Sequence, residues 1–585
     1  MVRYMKTNKK RKKKIKLTKE EKLKLQEKKE AEKFSNTIFK IFSNSGFEHY
    51  ITKDWHFDLG GRNNEIDNTF CLENVFIFCE DTTSKDKRSD HLVKKKETFE
   101  IILEKKDEFL NLFAEKFPEF DKNAYKNRWK FFYLYFTKEK IDFTNEDYVR
   151  YNPIILVKEA EKNYFIQMSS CIKKSFRYEI LKYLKIEEKD FGKARPSSSS
   201  QDLDVSIIYP EQTCGDTQGV RFVSFMMSPQ ELIKRAYVLR KDSFFEQALM
   251  YQRMIIKSKL TKIRKYISDN KTTFFNNIIV SLPNEVSFTD KNSKNIKLED
   301  ITSYEHYNMN IKGGFNSIGI IDGQHRVYGF YEDNNEDDEL EKEIAKYRDE
   351  LNLLVTGIIF PSSWSDERRR KYESQLFMDI NENSKNINSQ LIIDIKQITK
   401  PFEDVAIAKS VILNLNDKGI LSGLFELSEL EKGTIKVASV VKYALLKLVA
   451  LKEDNNGFYK YWIEEGKHRF NKQDDELEEL TKYIQYCSDK IRQYFTAVRV
   501  AFKRDWENKD SKIFKIIGFN GLLIALHKSL KITNGFQNTR YYIDVFKGVD
   551  FHFSDPTFAY SGSKYSAFAD KIIATCFIKD SVVAA

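Results

Sequence analysis

Ile318-Gly319-Ile320-Ile321-Asp322-Gly323-Gln324-His325-Arg326-Val327-Tyr328-Gly329-Phe330 reads as a buried strand, a tight turn and the start of a helix. The β-branched run stops at Asp-Gly, and apolar residues resume at helical spacing. Asp322 is placed to cap the helix and Gly323 to let backbone approach closely. Gln324, His325 and Arg326 fill the first turn, where free N–H groups and the helix dipole attract anions. A small phosphate site is built this way. The spacing alone fits a satisfied core histidine beside a surface arginine equally well.

The string Asp322-Gly323-Gln324-His325-Arg326 resembles the signature of the DGQHR-domain family, which includes the DndB-type proteins of DNA phosphorothioation systems and looks like a remote relative of the ParB and sulfiredoxin nucleotide-binding folds. Two further stretches agree in order. Upstream, Tyr251-Gln252-Arg253 is followed by Lys262–Ile267 and the strand-like Asn277–Pro283; downstream come Leu376-Phe377-Met378-Asp379-Ile380-Asn381 and then Lys385. The resemblance covers residues 203–400 and implies a ParB/sulfiredoxin-like sheet with a phosphate site. Its nucleotide- or phosphate-binding residues would be Asp322, Gly323, Gln324, His325, Arg326, Arg253, Asp379 and Asn381, with a nucleoside triphosphate, and NTPase activity, or a DNA backbone as the implied ligand chemistry. Where sulfiredoxin-type sites carry a reactive cysteine this chain has Gln324, so thiol chemistry is not expected.

A second stretch carries candidate chemistry. Asn64–Leu72 and Val75–Thr82 are strand-like runs separated by Glu73-Asn74. If those two residues form the loop, Leu72 faces Val75, Asp67 faces Glu80 and Glu65 faces Thr82, which gathers Glu65, Asp67 and Glu80 on one face. Like charges placed opposite weaken a sheet, and a hard divalent cation such as Mg²⁺ would compensate them. The pattern of an N-terminal helix, Gly46-Phe47, an Asp ending one strand and an acid on the next resembles the PD-(D/E)xK nuclease fold, particularly its Mrr-like branch. By that resemblance Asp67 and Glu80 are metal-binding and catalytic, with Glu65 a further metal ligand. Thr82 stands where the family carries lysine, and Lys85, or a lysine from the helix around Asp90–Phe113 such as Lys94, is the substitute.

At 585 residues the chain has room for two or three cores, and 46 Phe and 30 Tyr are those of a folded protein. No run of 18 apolar residues occurs and no apolar core follows the lysine-rich start, so the expectation is a soluble cytoplasmic protein without a membrane partner. The six cysteines lack CxxC spacing, which argues against a zinc ribbon or a disulfide framework. Residues 1–31 hold 14 Lys and Arg against 4 Asp and Glu, so nearly all of the net +11 sits in that stretch. It reads as a basic disordered tail able to attract phosphates, or as a solvated leader.

The expected architecture is α/β (α+β) and multidomain: the tail at 1–31, a restriction-endonuclease-like mixed sheet at 32–190, a linker at 191–202, the DGQHR domain at 203–400 and a mainly helical region at 401–585. Phe558–Lys564 could form a small anion-binding loop, and His468, His527 and His552 are too dispersed to be ligands. The functional expectation is a DNA-binding protein of a DNA-modification or restriction system in phage defence, partnered by DNA and by other proteins of that system, with a Mg²⁺-dependent endonuclease domain. A non-catalytic DndB-like regulator and a stand-alone nucleotide-binding protein are the alternatives, and oligomeric state is left open.

Overall fold

The computed structural model describes residues 19–83, 89–141, 143–193, 201–209, 219–240, 252, 254–283, 286–301, 306–311, 314–381, 389–427, 435–464, 467, 477–555, 558, 560 and 563–578. Two compact units result: one ends at Ser198 and includes Tyr331–Glu336, and the other takes the remainder from Ser199 onward. The class is mixed α/β with a helical C-terminal region.

In the first unit, helix α1 (Lys19–Asn44) begins well inside the expected tail, because Lys, Glu, Gln and Leu are strong helix formers. Residues 1–18, with Lys9–Lys14, lie outside the described residues. Five strands form the sheet: β1 (Glu48–Tyr50), then, beyond the hairpin of β2 (His56–Leu59) and β3 (Arg62–Glu65), β4 (Asn68–Leu72), β5 (Val75–Thr82), β6 (Lys130–Thr137) and β7 (Ile155–Leu156). β1, β4 and β5 run antiparallel; β5, β6 and β7 run parallel. Between β5 and β6 the chain makes helices α2 (Ser89–Glu104) and α3 (Lys106–Lys116). Their apolar residues Leu92, Phe99, Ile102, Phe109 and Phe113 share a core with Phe76, Phe78, Phe131 and Tyr133. Strand alternation therefore carries Glu80 onto the same face as Phe76 and Phe78, at the point where the aromatic stripe turns polar.

The β4–β5 ladder has the expected register, Leu72 opposite Val75 and Asn68 opposite Cys79. It stops there, and this corrects the reading of residues 64–67. Gly60 and Gly61, both at positive φ, form a two-residue turn that pairs β3 with β2, so Glu65 lies opposite His56 rather than Thr82. Buried Ile66 then anchors the crossing and Asp67 sits in a bend before β4.

The second unit opens with a nine-stranded sheet. Within it β11 (Ile278–Ser281) is antiparallel to β15 (Ile318–Asp322) and parallel to β16 (Leu353–Ile359), and β9 (Arg221–Met227), the middle strand, is antiparallel to β16. Helix α7 (Pro229–Arg235) starts as its sequence demands, with Pro229 in the first turn and the Ser228 hydroxyl accepting from the Glu231 N–H. Helices α8 (Lys257–Asn270), α9 (Gln324–Tyr328), α10 (Glu339–Glu350) and α11 (Asp366–Asn381) follow in chain order among the strands. From Ile393 to Cys576 a separate, helical apolar cluster forms around Asp404–Asp417, Leu477–Ala501 and Ile516–Ile532. The five described cysteines are buried, and no described helix is long and apolar enough to cross a membrane.

Candidate functional site

Glu80 is the buried centre of a polar cluster in the first unit. Lys95, on α2, points inward because it falls on the same helical face as Leu92 and Phe99, and its Nζ lies 2.8 Å from Glu80 Oε2 and 3.3 Å from Asp67 Oδ1. The Tyr133 hydroxyl, from the neighbouring parallel strand, donates to Glu80 Oε2 at 3.3 Å. His91, one turn before Lys95, brings Nε2 to 3.2 Å from Oε1. Exposure grades outward: the side chains of Glu80 and Lys95 are 5% and 10% exposed, those of Asp67 and His91 29% and 38%. One end of the cluster is dry and the other meets solvent.

Burial, reinforced by the charge on Glu80, pushes the Asp67 carboxyl up to about 7, against the opposing pull of Lys95. Burial also acts to raise Glu80, but hydrogen bonds from His91 and the charge of Lys95 outweigh it and hold that carboxyl below its usual range. Lys95 is raised because its two carboxylate partners outweigh its own desolvation. Near neutrality the cluster is a Glu80 carboxylate, a Lys95 ammonium and an Asp67 that sits close to its own midpoint and hydrogen-bonds Glu80.

The expected third carboxylate is not part of this cluster. Glu65 belongs to the β2–β3 hairpin, and among the described residues no three His, Cys, Asp or Glu stand together as a metal would need. Lys95 already supplies the positive charge that two adjacent carboxylates require. The donor set of Asp67 and Glu80 suits a hard cation only where waters and a substrate phosphate complete its shell. Thr82 lies at the end of β5 opposite Thr137, Lys94 is exposed, and Lys85 falls outside the described residues. Sequence reasoning missed Lys95, His91 and Tyr133; the signal for Lys95 was its place on the apolar face of α2.

In the second unit the signature turn is bonded internally. Gly323 adopts φ +100° at the helix start, a conformation open to glycine, and a Cβ there would come within 2.6 Å of Ile278 Cδ1. Asp322 does not cap α9, whose cap position is Gly323 itself; its carboxylate accepts from Arg326 Nη2 at 2.6 Å. Buried Gln324 accepts at Oε1 from Nε of the fully buried Arg240, 3.1 Å away, and the Arg240 guanidinium lies 5.1 Å from the Tyr328 ring centroid. His325 Nε2 accepts from the Ile256 N–H at 3.2 Å, and Gln252 donates to the Ile320 carbonyl. Asp379 is held by Gln375 Nε2 at 2.7 Å on the surface of α11. Arg253, Tyr251 and Lys385, and the side chain of Asn381, are outside the described residues, as are His468, Ser561 and Gly562.

A family model described as DndB, DNA-sulfur modification-associated, matches residues 214–394. The second unit is DndB-like over that span. The match takes in the signature turn, eight of the nine strands of its sheet and helices α7 to α11; of the first unit it covers only Tyr331–Glu336, and it ends before the helical C-terminal region. Comparison with curated proteins and with solved structures gave no match. The DndB-like segment thus links the chain to DNA modification, while the Asp67–Glu80–Lys95 cluster stands outside it.

Proposed function

We propose that this chain is a DNA endonuclease of a DNA-modification or restriction system, with the first unit cutting phosphodiesters and the DndB-like unit engaging DNA or a nucleotide. The observation that carries the reading is Lys95 Nζ held between Asp67 and Glu80, at 3.3 and 2.8 Å, against the middle strand of a mixed sheet with Asp67 toward solvent. Two acids and a lysine are the groups phosphodiester hydrolysis needs, and a helix lysine replaces the strand lysine whose position Thr82 occupies. Mg²⁺ bound by Asp67 and Glu80 would polarise a phosphoryl oxygen and lower the pKa of a coordinated water.

The protein's own part is orientation. Tyr133 and His91 take one Glu80 oxygen each, which fixes the plane of that carboxylate. Lys95, buried and held charged, presents an ammonium to the developing negative charge of the transition state without needing to be reorganised. Asp67, at the exposed end, is the acid a substrate phosphate meets first.

Nicking of supercoiled plasmid with Mg²⁺ or Mn²⁺, using DNA with and without sulfur modification, tests the reading. Cleavage by the wild type that disappears in Asp67→Ala, Glu80→Ala and Lys95→Ala supports it. No cleavage by the wild type on any DNA with either metal would favour the second reading, a non-catalytic DndB-like regulator. That reading draws on Thr82 and on the charge balance the cluster achieves with protein groups alone.

A further inference from the structure

Helix α8 of the second unit turns one face to the core with Leu260, Arg264 and Ile267, and the opposite face to solvent. That outer face carries Lys259, Lys262 and Lys265, three residues apart, and Tyr266 beside them. Lys257 and Lys271 flank it at the two ends, and Asp269 is the only acid on the helix. None of these five ammonium groups makes an ion pair or side-chain hydrogen bond among the described residues. The contrast with α10 is direct, since its Lys342 and Lys346 pair with Glu339 and Glu350.

Aromatic rings stand where the lysines end. Tyr266 stacks on Phe274, with centroids 5.5 Å apart and planes 17° from parallel, and the next residue, Phe275, is 90% exposed. Beside the Tyr266–Phe274 stack it adds a bare aromatic face to the same small apolar patch. Its neighbours supply three positive charges at steps of about 4.5 Å along the helix.

We infer that the α8 face and the Tyr266–Phe274–Phe275 tip form a binding surface for single-stranded DNA, the lysines following the phosphates and the rings stacking on unpaired bases. The charge calls for a polyanion, and the exposed rings call for one whose flat apolar groups are free to stack. A duplex satisfies the lysines but hides its bases. The outer face of α8 holds no arginine or glutamine, and its Asn270 donates Nδ2 to the Tyr266 carbonyl at 2.8 Å, so the recognition is independent of sequence. The inference shares with the nuclease reading only its partner, DNA, and it is tested without divalent metal so that the two stand or fall separately.

Fluorescence anisotropy of labelled oligo(dT) with the full chain in EDTA is the measurement. Lys259→Glu/Lys262→Glu/Lys265→Glu should weaken binding by more than tenfold and reduce the log–log salt slope by about 2, at about 0.7 per single-strand phosphate engaged. Phe275→Ala should weaken it by about tenfold at unchanged salt slope. The triple Lys→Gln variant, milder to the fold, should fall between, and all variants should melt with the wild type. Unchanged affinity in the lysine variants overturns the inference. So does duplex bound as tightly as oligo(dT) with no effect of Phe275→Ala, or anionic phosphatidylglycerol vesicles bound through these residues while oligo(dT) is not. A wild type that never cleaves but loses oligo(dT) binding in these variants would retire the nuclease reading alone.

Discussion

Asp67→Asn should make the first unit more stable and inactive at once. The folded protein holds the Asp67 carboxyl at about 7, raised first by burial and then by Glu80. The unfolded chain releases the same proton at about pH 3.9, and each pH unit of the difference is worth about 1.4 kcal/mol. Between these values the folded state keeps a proton that the unfolded state has lost, so the Asp67 contribution to stability falls as pH rises from about 4 to about 7 and is flat above. At pH 8 the charged carboxylate costs the fold up to about 4 kcal/mol. Asparagine has the same shape and no charge to bury. The gain from Asp67→Asn should therefore be largest at pH 8 and less than half as large at pH 5. Glu80, held below its usual range, contributes stability that is lost as pH falls, but it does so in both proteins.

Hydrogen exchange of the β5 amides, Val75–Thr82, reports the local opening free energy without requiring the whole chain to unfold in one step. At pH 8 these amides should exchange up to roughly a thousandfold more slowly in Asp67→Asn, since each tenfold is about 1.4 kcal/mol. Plasmid nicking by the same protein should be lost. A variant that exchanges no more slowly than wild type at pH 8, or by the same margin at pH 5 and pH 8, would show that Asp67 is not held at a cost, and the case for a strained acid pair would collapse.

Lys95→Ala should abolish nicking and, by leaving a buried Glu80 without its cation, destabilise the unit by about 3 kcal/mol; adding Thr82→Lys on the same sheet face should restore part of the nicking, and no recovery would mean that the lysine must come from α2. Deleting residues 1–18, which removes basic chain but leaves the described part of α1, should flatten the salt dependence of duplex binding by about 0.9 in log–log slope for each phosphate that the tail neutralises, and an unchanged slope in gel shifts would make the tail a passive leader. Arg326→Ala breaks a partly exposed pair with Asp322, so thermal melts should show a loss of about 1 kcal/mol; calorimetric titration with ATP, CTP and GTP then separates a structural arginine, whose removal leaves affinity untouched, from a phosphate ligand.

The hairpin shows how far sequence reading carried and where it stopped. Leu72 and Val75 could be paired from the short Glu73-Asn74 connection and the apolar alternation, and the ladder runs in that register down to Asn68 and Cys79. One residue further on, at Asp67 and Glu80, the extrapolation failed, because a ladder continues only while no other strand competes for its backbone groups. Gly60-Gly61 offered a tighter turn and claimed Arg62–Glu65 for β2. The carboxyls of Asp67 and Glu80 still meet, though one sits in a bend, because proximity of side chains survives the loss of backbone pairing. Of the lysines the sequence offered, Lys85 lies outside the described residues and Lys94 is exposed; Lys94 and Lys95 are equivalent by composition, and only the helical phase set by Leu92, Phe99 and Ile102 decides which one points in.

The signature turn was legible in its elements and not in its bonding. Strand, glycine and short helix lie where the apolar run and Asp-Gly said they would, but a local pattern cannot reveal that Arg240 and Ile256, far off in sequence, supply partners to Gln324 and His325. Those partners change what the turn can do. A phosphate arriving there must take Arg326 from Asp322 and His325 from a backbone N–H, so it gains only the difference between two charge-assisted interactions rather than the whole of one. The outer face of α8 has no such exchange to make. Its lysines hold no protein partner among the described residues, so an anion binding there collects the full interaction, and that asymmetry is why we assign the DNA contact to α8 and not to the Asp322–Arg326 turn.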